Sequence, residues 1–323
     1  MVELQRRWML FKNPPDHTRL RGLVHKAFTP RRVEQMRSQI QAITDGLLDR
    51  VQAAGRADLI AELAYPLPVT VIAAMLGVPA EDHAQFHAWS DALAHSLDLT
   101  EDPEVYTRAS RAAVALTAYL RTIIEQRRRQ PQDDLLSALI LAEEGGGRLS
   151  EDELYATVTL LLVAGHETTV NLIGNGVLAL LRHPDQLRRL RDEPGLIRTA
   201  VEELLRYDSP VQATSRVARA DLEIGGHTIR AGQQVSFLLG AANHDPARFA
   251  DPTRLDLSRD PNPHLAFGSG IHYCLGAPLA RLEGQIAINT LVQRLPGLAL
   301  APERPEHRDN YVLRGLRRLR VTF

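Results

Sequence analysis

Sulfur for metal or disulfide chemistry is nearly absent: among 323 residues there is one cysteine, Cys274. That excludes internal disulfides, cysteine-rich zinc sites and a self-contained iron–sulfur cluster, and it suits a reducing cytoplasm. Charge of one sign is also lacking. The formal net charge is -1, so the chain carries no electrostatic footprint for nucleic acid or an anionic membrane surface. The apolar early stretch from Leu63 to Ala80 is broken by Pro66, Pro68 and Pro79, and it falls short of the about 20 residues a membrane span requires. Signal-peptide pattern, fixed-period repeats and low-complexity tracts beyond Gly145-Gly146-Gly147 are missing, as is any flavin or nicotinamide fingerprint. Hydrophobic residues make up 44% of the chain, enough for a large core in one big domain or two smaller ones.

The lone cysteine lies in Phe267-Gly268-Ser269-Gly270-Ile271-His272-Tyr273-Cys274-Leu275-Gly276. Glycines permit positive φ and close backbone approach, so this loop can wrap a sulfur and aim amide N–H groups at it. Pro278 suits the first turn of a helix running to about Arg294, whose positive end is expected to lower the Cys274 pKa. Taken alone, a single intracellular cysteine is more often a small buried hydrophobe. Its glycine-rich neighbours argue for a ligand.

A second organising stretch starts at Ser150-Glu151-Asp152-Glu153, a capping-box pattern, and continues as an apolar run to Leu181 before His183-Pro184. A helix of about 32 residues would be roughly 50 Å long, enough to cross a domain. Its middle reads Ala164-Gly165-His166-Glu167-Thr168-Thr169, an island of polar and helix-weakening residues. A zinc-protease His-Glu-x-x-His motif fails because Val170 holds the fifth position. The remaining readings are a local bend, with threonine hydroxyls bonding back to earlier carbonyls, and a functional groove.

Other helices are expected over Val33 to about Gly55, Glu62 to Gly77, Glu81 to Ser96, Pro103 to Arg129 and Ile197 to Tyr207. Asp16 can cap a helix after Pro14-Pro15, placing His17 and Arg21 on one face. Glu203 and Arg206 are neighbours at i and i+3, which by spacing alone is an ordinary surface pair. Strand-like pieces follow at 215–217, 222–224, 227–229 and 234–239, with Gly225-Gly226 as a turn.

The Cys274 loop, the Ala164 to Thr168 island, Glu203-x-x-Arg206 and His17-x-x-x-Arg21 occur in the order found in the cytochrome P450 family, which the chain resembles from about Asn13 to its end. The resemblance is to a soluble bacterial member without the family's usual N-terminal portion. It implies a mainly α fold with small β-sheets, an α+β arrangement in one haem-thiolate domain over 1–323, with minor β pieces around 213–240 and 298–323. The loop after the helix ending near Ser96 is expected to roof the substrate cavity. By resemblance Cys274 is the axial ligand of haem b. His272, Arg216, His17 and Arg21 meet its propionates, Phe267, Gly268 and Gly270 shield the sulfur, and Ala164 and Gly165 leave room for dioxygen. Thr168 and Glu167 would deliver protons, Glu203 and Arg206 would support the fold, and Val163, Val211, Ala213, Thr214, Val312 and Leu313 would line the substrate pocket.

The activity so implied is oxygenation of a lipophilic small molecule, by hydroxylation or epoxidation, with electrons from a ferredoxin and ferredoxin reductase. Arg19, Lys26 and Arg281 are candidate docking cations, or simply solvated surface. Two other readings stay open: a peroxide-using haem-thiolate enzyme, against which Glu167-Thr168 argues, and a haem- or small-ligand-binding protein without turnover.

Overall fold

In the computed structural model of the chain, residues 2–96, 102–144 and 147–323 are described. Most of the loop expected to roof the cavity, and Gly145-Gly146, lie outside the described residues. The centre is the helix Glu151–Arg182, 32 residues long. Its start is the expected capping box: Glu153 N–H donates to Ser150 Oγ at 3.3 Å and Ser150 N–H donates to Glu153 Oε2 at 2.8 Å. The helix is apolar enough to cross a membrane, yet 78% of its most apolar window is buried inside the molecule, so packing accounts for that composition.

Around it pack the helices Pro66–Met75, His83–His95, Ile197–Tyr207 and Ala277–Arg294. Ala277–Arg294 comes close to the central helix because Gly284 has no Cβ, which would stand 2.9 Å from Leu172 Cδ2. That approach fixes the distance between the cysteine loop and the opposite wall.

Start signals place other helices. Asp102 accepts from Glu104 N–H ahead of Pro103–Arg129, and Thr29 accepts from Arg32 N–H ahead of Pro30–Gln35. The expected helix from Val33 is divided, with Pro30–Gln35 preceding Arg37–Gln52. Asp16 does not cap. It is the first residue of Asp16–Ala27, after Pro15, and no side chain closes that end.

The β pieces are small and antiparallel. Ala213–Val217 pairs with Gln234–Leu238, and Leu222–Ile224 with His227–Ile229 across the two glycines, whose φ values of 55° and 78° belong to the left-handed region. A three-stranded sheet places Arg320–Thr322 between Arg56–Asp58 and Ala299–Leu300. The first of these strands, and the Glu143–Glu144 and Gly147–Arg148 pair, carry no strand-like pattern in the sequence.

Candidate active site

A cavity of about 700 Å³ lies between the cysteine loop and the central helix. On the loop side, Gly268 and Gly270 both take φ of 69°, a conformation only glycine adopts without strain. These turns bring Cys274 back so that its N–H donates to Phe267 O at 2.9 Å. Cys274 faces the cavity and is held from behind by the start of Ala277–Arg294. Burial pushes the thiol pKa up, against the expectation from the helix end. The Gly276 and Ala277 N–H groups and the charges of Arg21 and Arg281 pull it down without prevailing. A metal bound at the sulfur deprotonates it outright.

One edge of the cavity is cationic. His17, Arg21, Arg216 and His272 all line it, and the rings of His17 and His272 stand 4.3 Å apart. Arg21 Nη2 donates to Tyr273 O at 2.6 Å, and Arg216 Nη1 donates to Thr214 Oγ1 at 3.1 Å and to Ser215 O at 2.7 Å. Burial, then Arg21, lowers the pKa of His17; burial, then His17 and both arginines, lowers that of His272. His17 Nε2 is buried with no hydrogen-bond partner. Such an edge calls for an anion.

The opposite wall is the central helix. Leu161, Ala164, Gly165, Thr168 and Leu172 line the cavity at helical spacing, and a Cβ on Gly165 would meet nothing within 4 Å. The helix runs unbroken through this island. Thr168 Oγ1 donates to Ala164 O at 2.9 Å and Thr169 Oγ1 to Gly165 O at 3.0 Å, the back-bonding that threonines in a helix favour.

Glu167 turns away from the cavity. It is 5% exposed, and its carboxylate accepts from Arg308 Nη1. His166, also buried, has its Nδ1 3.0 Å from Ser90 Oγ. Val163 lies in the hydrophobic core and not on the cavity, because it is off the helical stripe that Leu161 and Ala164 share. Gly270 shapes the loop without lining the cavity. Val211, Ala213, Thr214, Val312 and Leu313 do line it, and a β-bridge joins Val211 to Leu313.

Glu203 and Arg206 are fully buried, unlike an ordinary surface pair. Arg206 Nε and Nη2 both donate to the Glu203 carboxylate at 2.8 Å, and Arg206 Nη1 donates to Asn243 O and Pro252 O at 2.8 Å. Glu203 also accepts from Asp256 N–H, Arg259 and Asn262. The pair therefore ties Ile197–Tyr207 to the segment that leads into the cysteine loop.

Over residues 3–314 the sequence matches the family model for cytochrome P450. The chain belongs to the cytochrome P450 family. It is 49% identical over its whole length to the biotin biosynthesis cytochrome P450 of Bacillus subtilis, covering 82% of that protein, and 48% identical to the vitamin D(3) 25-hydroxylase of Pseudonocardia autotrophica, covering 98% of this chain and 77% of that one. Among solved structures, P450BioI in complex with hexadec-9Z-enoic acid ligated acyl carrier protein superposes with a TM-score of 0.94 at 49% identity, covering 99% of this chain and 82% of that one. The protein is thus a cytochrome P450 monooxygenase, and haem b is the cofactor of its family.

The residues fit that cofactor. A soft sulfur donor faces the cavity, two arginines and two histidines line one edge and would suit two carboxylates, and the buried Nε2 of His17 has no partner within the protein. Sequence reasoning missed Arg308, the partner of Glu167, and Glu283, the only acid lining the cavity among the described residues. Nothing in spacing pairs Arg308 with a residue 141 positions away. Two suggested docking cations are engaged as well: Arg19 with Glu153, and Arg281 with Glu202.

Proposed function

We propose that this cytochrome P450, as one domain spanning 1–323, hydroxylates or epoxidises a lipophilic small molecule in the cytoplasm, using electrons from a ferredoxin and its reductase. The observation that carries the reading is the cavity itself, with Cys274 on one wall, Thr168 on the other, and apolar Leu160, Leu161, Phe237, Val312 and Leu313 around them. When bound, the haem supplies thiolate-ligated iron for dioxygen activation. Cys274 would ligate its iron, and His17, Arg21, Arg216 and His272 would hold its carboxylates. Phe267 and Gly268 screen the sulfur from water, which keeps the donor's surroundings apolar.

Ala164 and Gly165 leave space against the helix, and the Thr168 hydroxyl holds water there. Glu167, paired with Arg308, supplies the proton from behind. The need for an external electron donor is supported by the lack of a flavin or nicotinamide fingerprint.

A solved relative carries a carrier-protein-linked fatty acid, and another, CYP109E1 from Bacillus megaterium, is in complex with testosterone. Both support a long or polycyclic apolar substrate. The test is turnover of such compounds by the haem-loaded protein with NADPH, a ferredoxin and its reductase: one product oxygen derived from labelled O2 is expected. Product formed only with added peroxide would contradict the proposed electron supply.

A further inference from the structure

Behind Phe267 lies a cluster whose acid, Glu202, and histidine, His264, have no part in the roles above. Arg281, on Ala277–Arg294, lays its guanidinium over the Phe267 ring, 4.4 Å from guanidinium carbon to ring centroid. Its Nε donates to Glu202 Oε1 at 2.7 Å and its Nη2 to Glu202 Oε2 at 2.8 Å, a two-pronged pair, while Nη1 donates to the Tyr273 hydroxyl at 3.1 Å. His264 completes the set. Ala266 N–H donates to its Nδ1 at 3.2 Å, so Nε2 carries the hydrogen that goes to Glu202 Oε2 at 3.0 Å. The Phe267 ring also meets the rings of His264 and Tyr273, at centroid distances of 6.0 and 6.4 Å.

Phe267 lines the cavity beside Cys274 and accepts that residue's N–H. Its ring is therefore held from behind by a cation whose own position is set by one carboxylate. That carboxylate stays ionised in ordinary conditions. Burial opposes its charge, but the hydrogen bonds from His264 and Arg281 prevail and bring its pKa down to about 2.

Resting on the reading of Cys274 as haem ligand, we infer that Glu202 and Arg281 are positioning residues that set the reduction potential of the bound haem. Arg281 fixes the Phe267 ring beside the cysteine loop and places a positive charge behind that loop, and Glu202 partly cancels that charge. A positive charge near the iron–sulfur unit favours the state holding one more electron; a negative charge opposes it. The two partners therefore act with opposite signs, which separates an electrostatic role from a merely structural one.

The test is the midpoint potential of the haem-loaded protein, titrated anaerobically with dithionite and mediator dyes, together with the carbon monoxide spectrum of each sample. Glu202→Gln is expected to raise the potential and Arg281→Gln to lower it, with the double variant returning towards the unmodified protein. Arg281→Lys keeps the charge but cannot lie flat on the ring, so its potential should fall less than that of Arg281→Gln. It also stands in for Arg281→Gln should that variant fail to hold haem. Equal potentials in all variants, or shifts of the same sign for Glu202→Gln and Arg281→Gln, would overturn the inference while leaving ligation by Cys274 intact. Loss of the red-shifted carbon monoxide band already in the unmodified protein would overturn both.

Discussion

Arg308 and Glu167 form an ion pair between the C-terminal β region and the middle of the central helix, joining residues 141 positions apart. The carboxylate is buried at 6% side-chain exposure and the guanidinium at 22%. The acid beside Thr168 is thus held behind the cavity wall, and the segment carrying Arg308 goes on to line the cavity at Val312 and Leu313.

Removing the arginine leaves a buried acceptor without this partner. Arg308→Ala is expected to cost about 1–3 kcal/mol of stability in denaturant unfolding. Glu167→Gln keeps the shape but cannot carry a proton as an acid. Turnover should fall by about 100-fold, the lower end of what a positioned acid contributes, with more NADPH consumed per product formed. A Glu167→Gln variant that turns over at the unmodified rate would remove this residue from proton delivery.

The fully buried Glu203–Arg206 pair gives a larger structural effect. Breaking it with Arg206→Ala strands a carboxylate that also anchors Asp256, Arg259 and Asn262, a loss of about 3–5 kcal/mol. Haem content after expression should drop with it, because the segment leading into the cysteine loop loses its tie. Full haem loading in this variant would show that the tie is dispensable.

pH acts on the cationic edge of the cavity with a definite sign. In the haem-free protein, burial and then Arg21 hold the pKa of His17 below its ordinary value of 6.5, and burial and then His17, Arg216 and Arg21 do the same to His272. The unfolded chain therefore binds more protons as pH falls through that value, and the folded state loses stability there. The contribution of these two histidines to the melting temperature of the haem-free protein should fall between about pH 7 and pH 5, read as the difference from a His17→Gln, His272→Gln double variant. Haem propionates supply the missing anions, so the loaded protein should show a shallower fall.

Glu283 has the opposite dependence. Full burial raises its pKa well above the ordinary 4.5, so the folded state retains a proton that the unfolded chain gives up. Stability is then lost as pH rises from about 4.5 upward. Glu283→Gln mimics the protonated form and should raise the melting temperature at pH 8 relative to the unmodified protein, with little change at pH 5. Destabilisation at both values would point to a carboxylate-specific partner.

How far the sequence foretold this arrangement depended on the range of the interaction. Local patterns were legible: Ser150 and Glu153 close the capping box, Pro103 starts its helix, and Gly268 and Gly270 turn the cysteine loop. Helical phase was read too loosely at Val163, where one step along the chain separates core from cavity. Long-range partners were invisible. Arg281 looked like a surface cation because its spacing carries no sign of Glu202, and no local pattern marks Arg308 as a partner of Glu167. Asp16 had the right residue type for a cap, but the helix begins one position too early for it to act as one.

Ligation of the haem by Cys274 is the feature on which every other role of the cavity depends. The decisive measurement is the absorption spectrum of the haem-loaded, reduced protein with carbon monoxide, recorded beside Cys274→Ser. A strongly red-shifted Soret band in the unmodified protein, absent from the variant, is the predicted result. A band of the histidine-ligated type in both would contradict it.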